Sequence, residues 1–107
     1  MSFHKLTSRD QLVEGYKQAF KINGVSILLV HSAGQTWAVE NKCGHFGVPL
    51  VTGRLVGARI QCSQHGAEFD LTSGQVMNHV VAQCDPLRVF AVVTRDDDVG
   101  IELPFTP

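Results

Sequence analysis

The chain is predicted to be all-β, a small antiparallel sandwich or barrel. Short apolar, β-branched runs recur along its length. Turn signals such as Asn23-Gly24 separate them, and Gly is frequent at 10 of 107 residues. No long run of helical periodicity competes with this pattern. A chain of 107 residues is expected to form one domain, residues 1–107, around one core.

The elements follow in order. After Phe3 the sequence predicts a short helical turn, with Ser8 as its cap, Asp10 and Gln11 in its first turn, and Gly15 at its end. YKQAFKI (16–22) leads through Asn23-Gly24 into SILLVHS (26–32), a hairpin. Ala33-Gly34-Gln35 turns the chain into TWAVEN (36–41). RLVGARIQC (54–62) holds one or two short strands around Gly57. AEFDLTSGQVMN (67–78) is expected to give two strands joined by the turn 71–74. LRVFAVVTR (87–95) is the longest strand candidate. Asp96-Asp97-Asp98 then turns into VGIELP (99–104). Asp97 and Asp98 are a solvated hairpin tip rather than an acidic docking surface.

Composition excludes several functions. The formal charge is −1, so no basic field attracts a phosphate backbone, and nucleic acid is not an expected partner. No apolar run approaches the roughly 20 residues that span a bilayer. MSFHKLTSRDQL lacks the apolar stretch of a signal peptide, so the expected compartment is the cytoplasm, with no membrane partner. Three Cys is an odd count and argues against a disulfide framework. There is no G-x-G-x-x-G, no P-loop and no prominent Ser-His-Asp set, so no hydrolytic or nucleotide chemistry stands out.

The chemistry-bearing residues fall in two matching stretches. NKCGHFG (41–47) carries Cys43 and His45, and after sixteen intervening residues CSQHG (62–66) carries Cys62 and His65. Each pair is followed by a Gly, Gly47 or Gly66, which permits the unusual backbone angles of a loop around a metal group. Two thiolates and two imidazoles suit a tetrahedral structural zinc site. The usual zinc finger, however, groups like ligands together. One Cys and one His in each loop suits a two-iron cluster, with both Cys on one iron and both His on the other.

With these motifs in view, the chain resembles the Rieske-type [2Fe–2S] ferredoxins, small electron carriers of multicomponent ring-hydroxylating oxygenase systems. ENKCGHFGVPLVTG resembles the family's first loop and IQCSQHGAEFDLTSG the second, where C-P-x-H-G-x-x-F-D-x-x-x-G is common. PLRVFAVVTRDDDVGIEL resembles the closing hairpin. The resemblance implies a base of antiparallel strands with an inserted cluster-binding subdomain at about 41–80. It implies one Rieske [2Fe–2S] cluster per chain, with Cys43 and Cys62 on the buried iron and His45 and His65 on the outer iron. It further implies a carrier rather than an enzyme. An NAD(P)H-dependent flavin reductase would supply the electron. A terminal (di)oxygenase would receive it, docking transiently at the His45/His65 edge. A small subunit held permanently in a larger redox enzyme, such as nitrite reductase, is the alternative, and a zinc-stabilised interaction module is a third.

Several positions depart from the family. High-potential members carry two further Cys that form a disulfide; here those positions are Val48 and Gln64. They also carry a Ser and a Tyr that donate to sulfur; here those positions are Ala67 and Phe69. Fewer donors imply a potential near the lower end of the roughly −150 to +300 mV Rieske range. The usual Pro after the second Cys is Ser63, which either loosens the loop or adds a hydrogen bond. The third loop, often Pro-rich, has His79 followed by Val80-Val81-Ala82. Cys84 is read as a small buried thiol and His79 as structural, while Phe46 is either a docking collar or a packing residue. Trp37 is assigned to the core, His31 to the sheet and Pro49 to stiffening the first loop.

Overall fold

The computed structural model describes residues 2–42, 49–63, 66–77 and 86–103. Its strands are β1 (Ser2–Ser8), β2 (Tyr16–Ile22), β3 (Val25–Ser32), β4 (Gln35–Glu40), β5 (Arg54–Val56), β6 (Arg59–Gln61), β7 (Glu68–Asp70), β8 (Val89–Arg95) and β9 (Asp98–Leu103). Two 3-10 turns, Arg9–Gln11 and Leu50–Thr52, complete the described elements. No helix among the described residues is long and apolar enough to cross a membrane.

Six strands form one sheet in the order β1-β9-β8-β4-β3-β2, and β5-β6-β7 form a second. Every pairing is antiparallel. The small sheet lies in the chain between β4 and β8, yet these two strands are neighbours, with Ala38 opposite Phe90 and Val39 opposite Val89. The chain therefore leaves the large sheet and returns beside its point of exit. Glu40 and Arg88 pinch this neck: the Glu40 amide donates to the Arg88 carbonyl at 2.9 Å, and the Arg88 amide donates to Glu40 Oε1 at 3.2 Å.

Strand β3 explains the layering. Ile27, Leu28, Leu29 and Val30 are all fully buried. Successive strand residues point to opposite faces. Leu28 and Val30 pack with Trp37, Leu50, Ile60 and Phe69 against the small sheet. Ile27 and Leu29 pack with Phe90, Ile101 and Leu103 on the other face. A strand covered on both sides needs the unbroken apolar run that SILLV supplies. Each such side chain contributes about 1.5–3 kcal/mol.

The hairpin turns follow local chemistry. Asn23 and Gly24 have φ of 52° and 82°, the left-handed pair expected of Asn-Gly. At the next turn Ala33 takes φ 54°, where no side-chain oxygen assists it. Glu14 instead accepts from the Ala33 amide at 2.9 Å and from Ser32 Oγ at 3.3 Å. These bonds hold the Glu14 carboxyl below its ordinary 4.5.

Three local expectations change. The helical turn expected after Ser8 is there, with Ser8 at its cap position and Asp10 in its first turn, but it spans only Arg9–Gln11 instead of running to Gly15, and the residues before it form β1, paired with β9. The isolated pattern of β1 is weak because much of it is polar; β9 supplies the pairing. The anticipated second strand within 67–78 is reduced to one bridge, Phe69 to Val76. Asp98 belongs to β9, where its carboxylate meets Lys5 at 3.2 Å.

Candidate metal centre

Of the four predicted ligands, Cys62 is placed by the structure. Cys43, His45 and His65 lie outside the described residues, as do Phe46, Val48, Gln64, His79, the Val80-Val81-Ala82 segment and Cys84. The centre is therefore built from Cys62 and from the necks of the loops that carry the other three.

Strand β6 ends at Gln61, so its in–out alternation delivers Cys62 to the layer between the sheets. Cys62 is 2% exposed and packs in one cluster with Leu50, Ile60, Ala67 and Phe69. Its amide donates to the Ala67 carbonyl at 2.8 Å, and the Gly66 amide donates back to the Cys62 carbonyl at 3.0 Å. These bonds close the loop that carries His65. Gly66 has φ 73°, a left-handed angle that admits so tight a return without strain.

The first loop is closed from a different residue. Asn41 is 7% exposed and sits at the end of β4. Its Oδ1 accepts from the Val51 amide at 3.0 Å, and its Nδ2 donates to Ser26 Oγ at 3.1 Å. Its own amide donates to the Ser26 carbonyl at 3.0 Å. One side chain thus joins both ends of the loop bearing Cys43 and His45 to the base sheet. Sequence reasoning missed Asn41; its position two residues before Cys43 was the available signal.

Two further residues bring the loops close. A Cβ built on Gly53 would lie 2.5 Å from the Gln61 carbonyl oxygen, so only Gly fits there. Lys17 of β2 donates to the Gly53 carbonyl and ties this crossing to the base sheet. Ser63 does add a bond: its Oγ lies 3.0 Å from Thr52 Oγ1. Beside the first loop runs an open groove of about 440 Å³, lined among others by Ser26, Glu40, Lys42, Pro49 and Arg88.

Trp37 is in the core, and His31 Nδ1 meets Thr36 Oγ1 at 2.8 Å, as expected of a sheet histidine. Pro49 borders the first loop with φ −61°.

The residues present fit a two-iron, two-sulfide group. Cysteine sulfur is the donor that iron–sulfur clusters take from a protein, and the apolar layer shields it from water. Cys62 offers a shielded soft donor, and the chain supplies one more Cys and two motif His in the loops whose necks converge on it.

Comparison with known proteins agrees. Residues 2–91 match the Rieske [2Fe-2S] domain. The biphenyl 2,3-dioxygenase ferredoxin component of Rhodococcus jostii (strain RHA1) is 29% identical over 103 residues, covering 96% of this chain and 94% of that protein. Apoptosis-inducing factor 3 of Mus musculus is 35% identical over 90 residues, covering 84% of this chain; the chain spans 14% of that longer protein's length. In fold, the Sphingomonas yanoikuyae B1 ferredoxin superposes with a TM-score of 0.85 at 22% identity, covering 96% of this chain and all of that one. With its two-sheet antiparallel fold and its buried Cys62, the chain belongs to the Rieske [2Fe-2S] domain family and resembles its ferredoxins, with a Rieske-type [2Fe–2S] cluster as cofactor.

Proposed function

We propose that the protein is a one-electron carrier of a multicomponent oxygenase system. It would accept electrons from an NAD(P)H-dependent flavin reductase and deliver them to a terminal oxygenase in the cytoplasm. The observation that carries this reading is the burial of Cys62 at a closed loop neck, in a chain matching a dioxygenase ferredoxin component over 94% of that component's length.

In this reading Cys43 and Cys62 would hold one iron, and His45 and His65 the other. The bound cluster supplies reversible one-electron chemistry. The apolar layer around Cys62 excludes water from the inner side. A partner would dock transiently where the two imidazoles are presented. The 107 residues act as one domain, and the segment 41–80 serves as its cluster-binding subdomain.

The test is iron and acid-labile sulfide per chain on anaerobically purified protein, with an electron paramagnetic resonance spectrum after dithionite reduction. Two of each, with the low average g-value of a His-ligated cluster, are expected. Cys62→Ser should abolish the signal. Zinc without iron would overturn the carrier reading and leave a structural clasp.

A second reading is a Rieske domain working within a larger redox enzyme. The match to apoptosis-inducing factor 3, a longer protein of which this chain spans 14%, favours a domain set within a larger chain. A stable partner co-purifying at fixed stoichiometry would support it; transfer to a separately purified oxygenase in a transient complex would count against it.

A further inference from the structure

We propose that Ser63, Thr52 and Pro49 form a clasp between the two ligand loops, with Ser63 as a positioning residue. The inference rests on the ligand assignment above.

Thr52 Oγ1 lies 3.1 Å from the Pro49 carbonyl oxygen and 3.0 Å from Ser63 Oγ. Each hydroxyl has one proton, and a carbonyl oxygen only accepts. Thr52 therefore donates to Pro49 and must accept from Ser63. The donor order runs Ser63 to Thr52 to Pro49.

The placement gives this order its meaning. Pro49 directly follows the stretch 43–48, and Ser63 directly follows Cys62. Two hydrogen bonds thus join the exit of the first loop to the entry of the second. Thr52 is a fixed post for them. Its turn is held by the Gly53 amide donating to Leu50 at 2.7 Å and by the Val51 amide donating to Asn41. The single Ser63 proton is committed to Thr52, so this hydroxyl does not serve the neighbouring Cys62 sulfur. Where a Pro would stiffen the second loop by its ring, Ser63 stiffens it by tying it to the first.

The experiment uses cluster-loaded protein and compares wild type with Thr52→Val, Ser63→Ala, the double variant and Ser63→Thr. Three quantities are read: iron release to a chelator well below the melting temperature, the melting temperature, and the reduction potential. Each single variant should release iron about threefold to tenfold faster. The double should be no faster than Thr52→Val alone, because that variant already breaks both bonds of the chain. Ser63→Thr should keep the wild-type rate, and Ser63→Ala the wild-type potential.

Wild-type release rates in the single variants would overturn the clasp. So would additive effects in the double, or rates that merely follow a fall in melting temperature. A lowered potential in Ser63→Ala would show that Ser63 donates to sulfur instead. A wild-type protein lacking iron and sulfide would overturn the ligand assignment itself, a separate failure.

Discussion

Gly53 and Gln61 meet backbone to backbone: a Cβ on the first would stand 2.5 Å from the carbonyl oxygen of the second. Gln61 is the residue before Cys62, so this crossing sets how the first loop's exit lies against the second ligand stretch. Gly53→Ala must push β5 from β6 at that point. The expected cost is about 1–3 kcal/mol of stability, with faster iron loss. Denaturant unfolding and chelator release check both; an unchanged midpoint would mean that the strands part freely.

Asn41 closes the first loop by accepting from the Val51 amide. Asn41→Ala leaves that amide without its acceptor beside a buried position. A loss of about 1–3 kcal/mol is expected, together with reduced cluster content in purified protein. Iron per chain and thermal melting measure it. Full occupancy with an unshifted melt would remove Asn41 from the loop's support.

Ala33 sits at φ 54° in the β3–β4 turn without a side chain suited to it. Ala33→Asn should raise stability by about 1 kcal/mol, since Asn tolerates the left-handed region. A chemical melt gives the answer, and a destabilised variant would show that the strain is relieved elsewhere.

Glu14 has its carboxyl held low, first by the Ala33 amide, which outweighs an opposing desolvation, and further by the Gly34 amide, the Ser32 hydroxyl and the His31 charge. A lowered native pKa means that the unfolded chain takes up the proton first as pH falls. The Glu14 contribution is therefore complete above the ordinary 4.5 and is lost as pH drops through the lower native value. Glu14→Gln should flatten this part of the acid limb of stability while leaving its shape above pH 6 unchanged. Melting temperature against pH for the two proteins checks the sign.

Ala67 and Phe69 are fully buried beside Cys62 and carry no hydroxyl. The reduction potential is accordingly expected near the lower end of about −150 to +300 mV. Voltammetry decides; a value in the upper half would require other donors to the sulfur atoms.

The sequence by itself determined the fold class and pointed to the cofactor. SILLV announced a strand, Asn23-Gly24 announced a hairpin, and the paired Cys-x-His and Cys-x-x-His motifs carried the resemblance to the cluster-binding family. These signals are local: they reside in side-chain period, in left-handed turn residues and in ligand type. Strand β1 was invisible because its partner, β9, lies at the far end of the chain and its own residues are largely polar. Asn41, Thr52 and Gly53 were invisible for a related reason. Their roles consist of reaching Val51, Ser63 and Gln61, and neither an Asn, a Thr nor a Gly advertises its partner. The tertiary structure alone decided that β4 and β8 are neighbours, so that the intervening segment begins and ends at one neck. The β5–β6 hairpin, with Arg54 opposite Gln61, then sets the first loop's exit beside Cys62.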